Sequence, residues 1–403
     1  MAITVSVLGG GDQIGFSAYL LQHKKSFLLL DLGAANHFTF RNTDVLALLL
    51  EKTKGLANLA AVFVSHAHLD HVGLLPSLFS YGFQGPIFGS KETRELTQLS
   101  LKNRFFRSNP QKRGTKLENM VSEGIKLLDH LWVELEPNNP FEFQNWFVTP
   151  FYSGHLAGAF GYLFQTPSTN LLFTGDCSVK PSFSHAGLSF PNIPSKCYWF
   201  WDGTYLEKIP HTNLGSEIQE KSVGQEISRV ASREGIAAFP CLELGKGEET
   251  FFQLWGMKET GKIPDIPIFL HPDMKRTMEL FSPLIFRKWG MDDGIFREYC
   301  EVPKRSVFVG KIPPQHFPAV KGAAKSGFNS EEVPLFLSFH FPTHLFPEQI
   351  SIFQRVYDPL YSWFIHTRAK EIPQNCSEKS EILPNFSQLR LEGLKWNYIM
   401  KGP

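Results

Sequence analysis

An apolar strand, Ala60-Ala61-Val62-Phe63-Val64-Ser65, runs directly into His66-Ala67-His68-Leu69-Asp70-His71. Three imidazoles and a carboxylate within six residues would suffer desolvation and mutual repulsion at a strand end unless a cation shared them. Imidazole nitrogen and carboxylate oxygen are ligands that zinc accepts, and a turn after a strand can aim alternate side chains at two nearby ions. A Glu in place of His68 would have supplied oxygen and tilted the site toward iron; the histidine favours zinc.

Two further candidates sit at predicted strand ends. His155 lies in Ser153-Gly154-His155-Leu156-Ala157-Gly158, and Asp176 ends Phe173-Thr174-Gly175-Asp176. Their flanking glycines permit close backbone approach. Each alone reads equally well as a packed histidine or a turn former; in chain order with the first cluster they form a set.

Around these residues the chain is organised in two patterns. Ile3 to Leu8, Phe16 to Gln22 and Lys25 to Leu32 read as an antiparallel start, with Gly9-Gly10-Gly11-Asp12 as a turn and not a dinucleotide loop, because a strand follows it and not a helix. Val72 to Tyr81 reads as one helix, and strands follow at Phe147 to Tyr152, Phe160 to Thr166, Asn170 to Thr174 and Tyr198 to Trp201. From about residue 207 strands and helices alternate: strand Ile236 to Pro240, helix Glu248 to Met257, strand Pro267 to Leu270, helix Asp273 to Trp289 and strand Ser306 to Val309. That alternation implies a parallel α/β sheet. Strand Pro334 to Phe339, helix Glu348 to Val356 and strand Ser362 to Ile365 then bring new histidines. The chain is therefore expected to comprise a first domain of residues 1–206 and 334–403 interrupted by an inserted domain of residues 207–333.

Length agrees, since 403 residues exceed one typical core and 42% hydrophobic content is ample for two or three. A formal charge of +1 means that a polyanion would have to be held by a local patch. Five cysteines, with no C-x-x-C, oppose both a disulfide framework and a cysteine zinc site. Neither a signal peptide nor a run of about 18 apolar residues is evident, so a soluble, cytoplasmic protein with no membrane partner is expected. Lys102, Arg104, Arg107, Lys112, Arg113 and Lys116, interleaved with Phe105 and Phe106, form an acid-free stretch that could track phosphates and stack bases, or be only a solvated basic loop.

The H-x-H-x-D-H run, G-H-L-A-G and T-G-D, in this order, resemble the metallo-β-lactamase hydrolases. The resemblance implies an α/β fold of αββα sandwich type and two zinc ions, with His66, His68 and His155 on one, Asp70 and His71 on the other, and Asp176 between them. Further motifs are similar to the β-CASP nuclease branch, which includes RNase J and the cleavage-and-polyadenylation endonucleases. These are Asp202-Gly203-Thr204-Tyr205, the stretch Leu244-Gly245-Lys246-Gly247-Glu248-Glu249, Phe341-Pro342-Thr343-His344, and Trp363-Phe364-Ile365-His366-Thr367. His340 rivals His344 for the first late histidine. Lys246 stands where many members carry Arg, and Val309-Gly310-Lys311-Ile312-Pro313-Pro314 lacks their Ser-Gly-Met stretch.

By this resemblance the inserted parallel α/β domain is a β-CASP domain, and the reaction is two-metal hydrolysis of a phosphodiester. Asp70, Asp202 and His344 would act in catalysis, Asp202 orienting a histidine and His344 donating toward the scissile phosphate or leaving oxygen. His366 would complete the second ion's ligands and favours RNA over DNA, while Lys246, Arg104 and Arg107 would contact substrate. A ribonuclease for single-stranded RNA is thus expected, with a DNA nuclease, a small-ester hydrolase or a catalytically silent nucleic-acid-binding subunit as alternatives.

Overall fold

A computed structural model describes residues 2–34, 41–108, 116–182, 184–207, 216–241, 244–270, 274, 277–278, 306–310, 335–337 and 343–402. The side chains of 41–43, 103–108, 116–121, 216–219 and 335–336 also lie outside the description. The chain divides into two compact units. One comprises Met1–Pro181, His185–Ile209 and Pro342–Pro403; the other comprises Ser182–Ser184 and Pro210–Phe341.

The first unit holds two sheets. An eight-stranded sheet runs in the order Lys395–Met400, Gln388–Glu392, Ile3–Gly9, Ala18–His23, Ser26–Leu30, Leu59–Phe63, Ile87–Gly89 and Trp132–Glu134. Its first five strands are antiparallel and its last three join in parallel. A seven-stranded sheet runs Ser380–Ile382, Tyr361–Ile365, Cys197–Asp202, Asn170–Phe173, Phe160–Gln165, Trp146–Tyr152 and Phe141–Phe143, its first four strands parallel.

The strand Leu59–Phe63 shows why an uninterrupted apolar run is needed. Ala61 and Phe63 join the core between the two sheets, with Leu28, Leu30, Tyr162, Phe164, Phe200 and Trp363. Val62 and Val64 join a second core, where Val45, Leu78, Leu101 and Leu128 come from helices Arg41–Thr53, Leu75–Ser80, Lys91–Ser108 and Lys116–Leu131. A strand covered on both faces has no polar side, so alternation disappears. On the outer face of the other sheet, Trp199, Trp201 and Phe364 pack with Ile350 of the helix Pro347–Tyr357. Helices thus cover both outer faces, and the layers are those of the expected αββα sandwich.

The second unit carries a four-stranded parallel sheet in the order Ile268–Leu270, Ser306–Gly310, Ile236–Pro240 and Leu335–Phe336. Its core joins Phe239 and Val307 to Ile227 of helix Ser216–Ala231 and Phe251 and Leu254 of helix Lys246–Glu259.

Three expectations need correction. Val72 to Tyr81 is not one helix: Leu69–Val72 and Leu75–Ser80 are separate turns, because Pro76 begins the second and cannot supply the N–H that continuation needs. The basic stretch before residue 108 is not a loop, since Lys102, Arg104 and Arg107 lie on helix Lys91–Ser108. The C-terminal strands Gln388–Glu392 and Lys395–Met400 were not anticipated and extend the first sheet beside Ile3–Gly9. Lys112, Arg113, His340 and most of the helix expected from Asp273 to Trp289 fall outside the described residues.

Candidate metal centre

Parallel strands deliver their carboxyl ends to the same edge of a sheet, which is where α/β proteins place their chemistry. Here Asp31 follows Ser26–Leu30, His66 follows Leu59–Phe63, Asp176 follows Asn170–Phe173, Asp202 ends Cys197–Asp202 and His366 follows Tyr361–Ile365. His155 follows Trp146–Tyr152, and Asp70 and His71 occupy the short turn Leu69–Val72. All belong to the first unit.

These residues gather into two donor groups. In the first, the ligand atoms of His66, His68, His155 and Asp176 lie within 4.8 Å of one another; in the second, so do those of Asp70, His71 and His366. Asp176 touches both. Its Oδ2 is 3.8 Å from His66 Nε2, 3.7 Å from His155 Nε2 and 3.9 Å from His366 Nε2, and its Oδ1 is 3.6 Å from His71 Nε2. His366 Nε2 is 3.7 Å from Asp70 Oδ2.

Hydrogen bonds on the far side of each ring assign the nitrogen that faces inward. His155 Nδ1 donates to the Thr343 carbonyl at 2.7 Å, and His66 Nδ1 lies 3.0 Å from Ser65 Oγ. Both therefore turn Nε2 inward, where His66 Nε2 and His155 Nε2 stand 3.0 and 3.1 Å from His68 Nδ1. Burial, reinforced by neighbouring imidazoles, pushes the His66 and His155 pKa values well below the usual histidine range. Neutral imidazoles with lone pairs converging beside a carboxylate are the donor set a divalent cation satisfies, so these residues fit a bound metal.

His71 behaves differently. Burial opposes its charge, but the carboxylates of Asp176 and Asp31 outweigh it and hold its pKa up at about 10. The shift reports how strongly this point favours positive charge. His71 Nδ1 donates to Asp31 Oδ2 at 2.8 Å, and Asp31 also accepts from Ser65 N–H and Ser65 Oγ–H, each at 2.7 Å. Asp31 is completely buried, and sequence reasoning missed it. The signal was present: Leu28-Leu29-Leu30-Asp31 ends an apolar strand in a carboxylate, as Asp176 and Asp202 do.

A third group joins Asp176, Asp202 and His344. His344 Nδ1 donates to Asp202 Oδ2 at 2.6 Å, while Asp202 Oδ1 accepts from Thr204 Oγ1 at 2.6 Å and Oδ2 from the Cys177 N–H at 3.1 Å. Burial would raise the Asp202 pKa, yet the His344 charge and hydrogen bond bring it down to about 2.

Of the residues singled out from sequence, His66, His68, Asp70, His71, His155, Asp176, Asp202, His344 and His366 come together. Lys246 opens the helix Lys246–Glu259 of the other unit, after Gly245 at φ +94°. Arg104 and Arg107 are placed on their helix by the backbone alone.

Residues 15–188, which carry most of this donor array, match the model of the metallo-β-lactamase superfamily. Among curated relatives, the transcription termination factor FttA of Methanosarcina mazei is 28% identical over 284 residues, covering 66% of this chain and 41% of that protein. Endoribonuclease ysh1 of Aspergillus fumigatus is 25% identical over 294 residues, covering 72% of this chain and 33% of that protein. The chain spans about two-fifths of the length of the FttA protein it matches. A solved structure of a protein of unknown function from Enterococcus faecalis V583 superposes with a TM-score of 0.59 at 14% identity, covering 97% of this chain and all of that one, a likeness of fold alone. Among the described residues, no helix is long and apolar enough to cross a membrane.

Proposed function

We propose that this chain is a zinc-dependent ribonuclease that hydrolyses phosphodiester bonds of single-stranded RNA in the cytoplasm. The observation that supports the reading best is Asp176, set between two separate donor groups at distances of 3.6 to 3.9 Å. His66, His68 and His155 would hold one ion, and Asp70, His71 and His366 the other, with Asp176 shared. A nitrogen-rich donor set without cysteine suits zinc. When bound, such a pair polarises phosphoryl oxygens and makes water acidic enough to attack near neutral pH.

The chain's own groups supply the rest. Asp202 accepts the Nδ1–H hydrogen bond of His344, holds the ring and stabilises its protonated form, from which Nε2–H would give a proton to the leaving oxygen. Asp31 holds His71 in the same way from behind. Lys246, Arg104 and Arg107 would contact the RNA backbone, Lys246 as a point charge. The FttA and ysh1 relatives, whose names point to transcripts and to endoribonuclease activity, favour RNA over DNA.

The test is degradation of matched, end-labelled single-stranded RNA and DNA by the zinc-loaded chain, with an Asp70→Ala, His71→Ala double variant as control. RNA-selective cleavage that disappears in the variant is expected. Cleavage of DNA in preference would replace the substrate class, and no cleavage of either polymer would contradict the nuclease reading.

A further inference from the structure

The glycine loop Gly9-Gly10-Gly11 and the strand after it have no part in the chemistry above, yet they reach the ring of His366. Ser17 is fully buried, and its Oγ lies 2.9 Å from His366 Nδ1 and 3.3 Å from His71 Nε2. Tyr19, buried as well, packs against Gly10, as Ser17 does. Tyr19 in turn donates its O–H to the Gly10 carbonyl. That carbonyl also accepts the His366 N–H at 2.7 Å, and the Gly11 carbonyl accepts the Thr367 N–H at 3.2 Å.

Ser17 thus engages the Nδ1 side of the His366 ring, while the Nε2 side faces Asp70 and Asp176.

His366 stands at φ +53°, a left-handed conformation that a non-glycine residue keeps only when its surroundings hold it. Its N–H and its ring are held by the same short network. Gly10, at φ +72°, cannot be replaced without damage: a Cβ there would lie 2.7 Å from the Tyr19 hydroxyl and 2.8 Å from Ser17 Cα. The glycine is what lets one carbonyl receive both donors.

We propose that Ser17 and Tyr19, gathered around Gly10 and its carbonyl, are positioning residues that set the pose of His366, and thereby the affinity of the Asp70, His71 and His366 group for the second divalent ion. This rests on the two-ion reading above. Outer hydrogen-bond partners of metal-ligating histidines typically change affinity by about 10- to 100-fold.

The test uses the full chain, stripped of metal and titrated with Zn²⁺ against a chromophoric chelator, with Co²⁺ absorption as a parallel readout. The unsubstituted chain should take up two equivalents. Ser17→Ala and Tyr19→Phe should each weaken only the second, by about 10- to 100-fold, and neither should weaken it further in a His366→Ala background. Tyr19→Phe removes one oxygen from a buried ring, so it carries the test if Ser17→Ala misfolds. Unchanged binding of the second equivalent, or equal loss of both, would overturn the assignment. An unsubstituted chain that takes up no second equivalent would instead remove the two-ion reading itself, and the assignment with it.

Discussion

His71 and His155 stand near different oxygens of Asp176, and their protons should behave oppositely when metal binds. His66 and His155 are already neutral, so cation uptake by their group requires neither to release a proton. His71, with a pKa near 10, is protonated at neutral pH and must give up that proton. The sign follows: as pH falls from 8 to 6 the second equivalent should weaken, by up to about tenfold per pH unit, while the first changes less. Calorimetric titration in two buffers of different ionisation enthalpy would check this, and equal proton release by both equivalents would contradict it. Asp202→Ala and His344→Ala should cut turnover by about 10²- to 10⁴-fold with most of the zinc retained; stoichiometric metal loss in both would exclude their roles. The first six candidate ligands could be singled out in the sequence because four are crowded into six residues and the other two follow glycines at strand ends. Asp31 was not, because an apolar run ending in a carboxylate is a weak local mark and its partners Ser65 and His71 lie 34 and 40 residues away.

At the scale of elements, buried strands were read well and their long-range partners were not. Apolar runs such as Ala60 to Ser65 are legible wherever both faces are covered. The hairpin of Gln388–Glu392 and Lys395–Met400 has only moderate apolar content, and its place beside Ile3–Gly9 depends on pairing across nearly the whole chain. Leu391, fully buried opposite Ile3, anchors that closure. Leu391→Ala should destabilise the first unit by about 2–5 kcal/mol in denaturant unfolding, and a change under 1 kcal/mol would show that the hairpin is peripheral. The split between Leu69–Val72 and Leu75–Ser80 has a purpose visible in its neighbours, since the turn brings the Asp70 carbonyl against Gly33 and the Ser17 N–H. A Cβ on Gly33 would fall 1.6 Å from the Asp70 oxygen. Gly33→Ala must therefore displace the metal-binding turn, and both lower thermal stability and reduced zinc content are expected; full zinc retention would contradict this.

Across the whole molecule, the donor groups draw on strands from both sheets of the first unit and on segments as distant in sequence as His66 and His366. A cation that binds only this assembled arrangement stabilises the folded state by mass action, about 2.7 kcal/mol for free metal at a hundred times its dissociation constant. Chelation should lower the unfolding temperature of the first unit, and re-addition of zinc should restore it. The composition left this coupling unstated, since a net charge of +1 says nothing of seven candidate ligands drawn together.

The most direct measurement is anomalous diffraction at the zinc edge from crystals of the zinc-loaded chain. The account predicts two peaks. One should lie about 2.0–2.2 Å from His66 Nε2, His68 Nδ1 and His155 Nε2, and the other at similar distance from Asp70, His71 and His366, with Asp176 reaching both. A single peak, or two peaks that leave Asp176 unengaged, would contradict the two-ion centre on which the proposed hydrolysis depends.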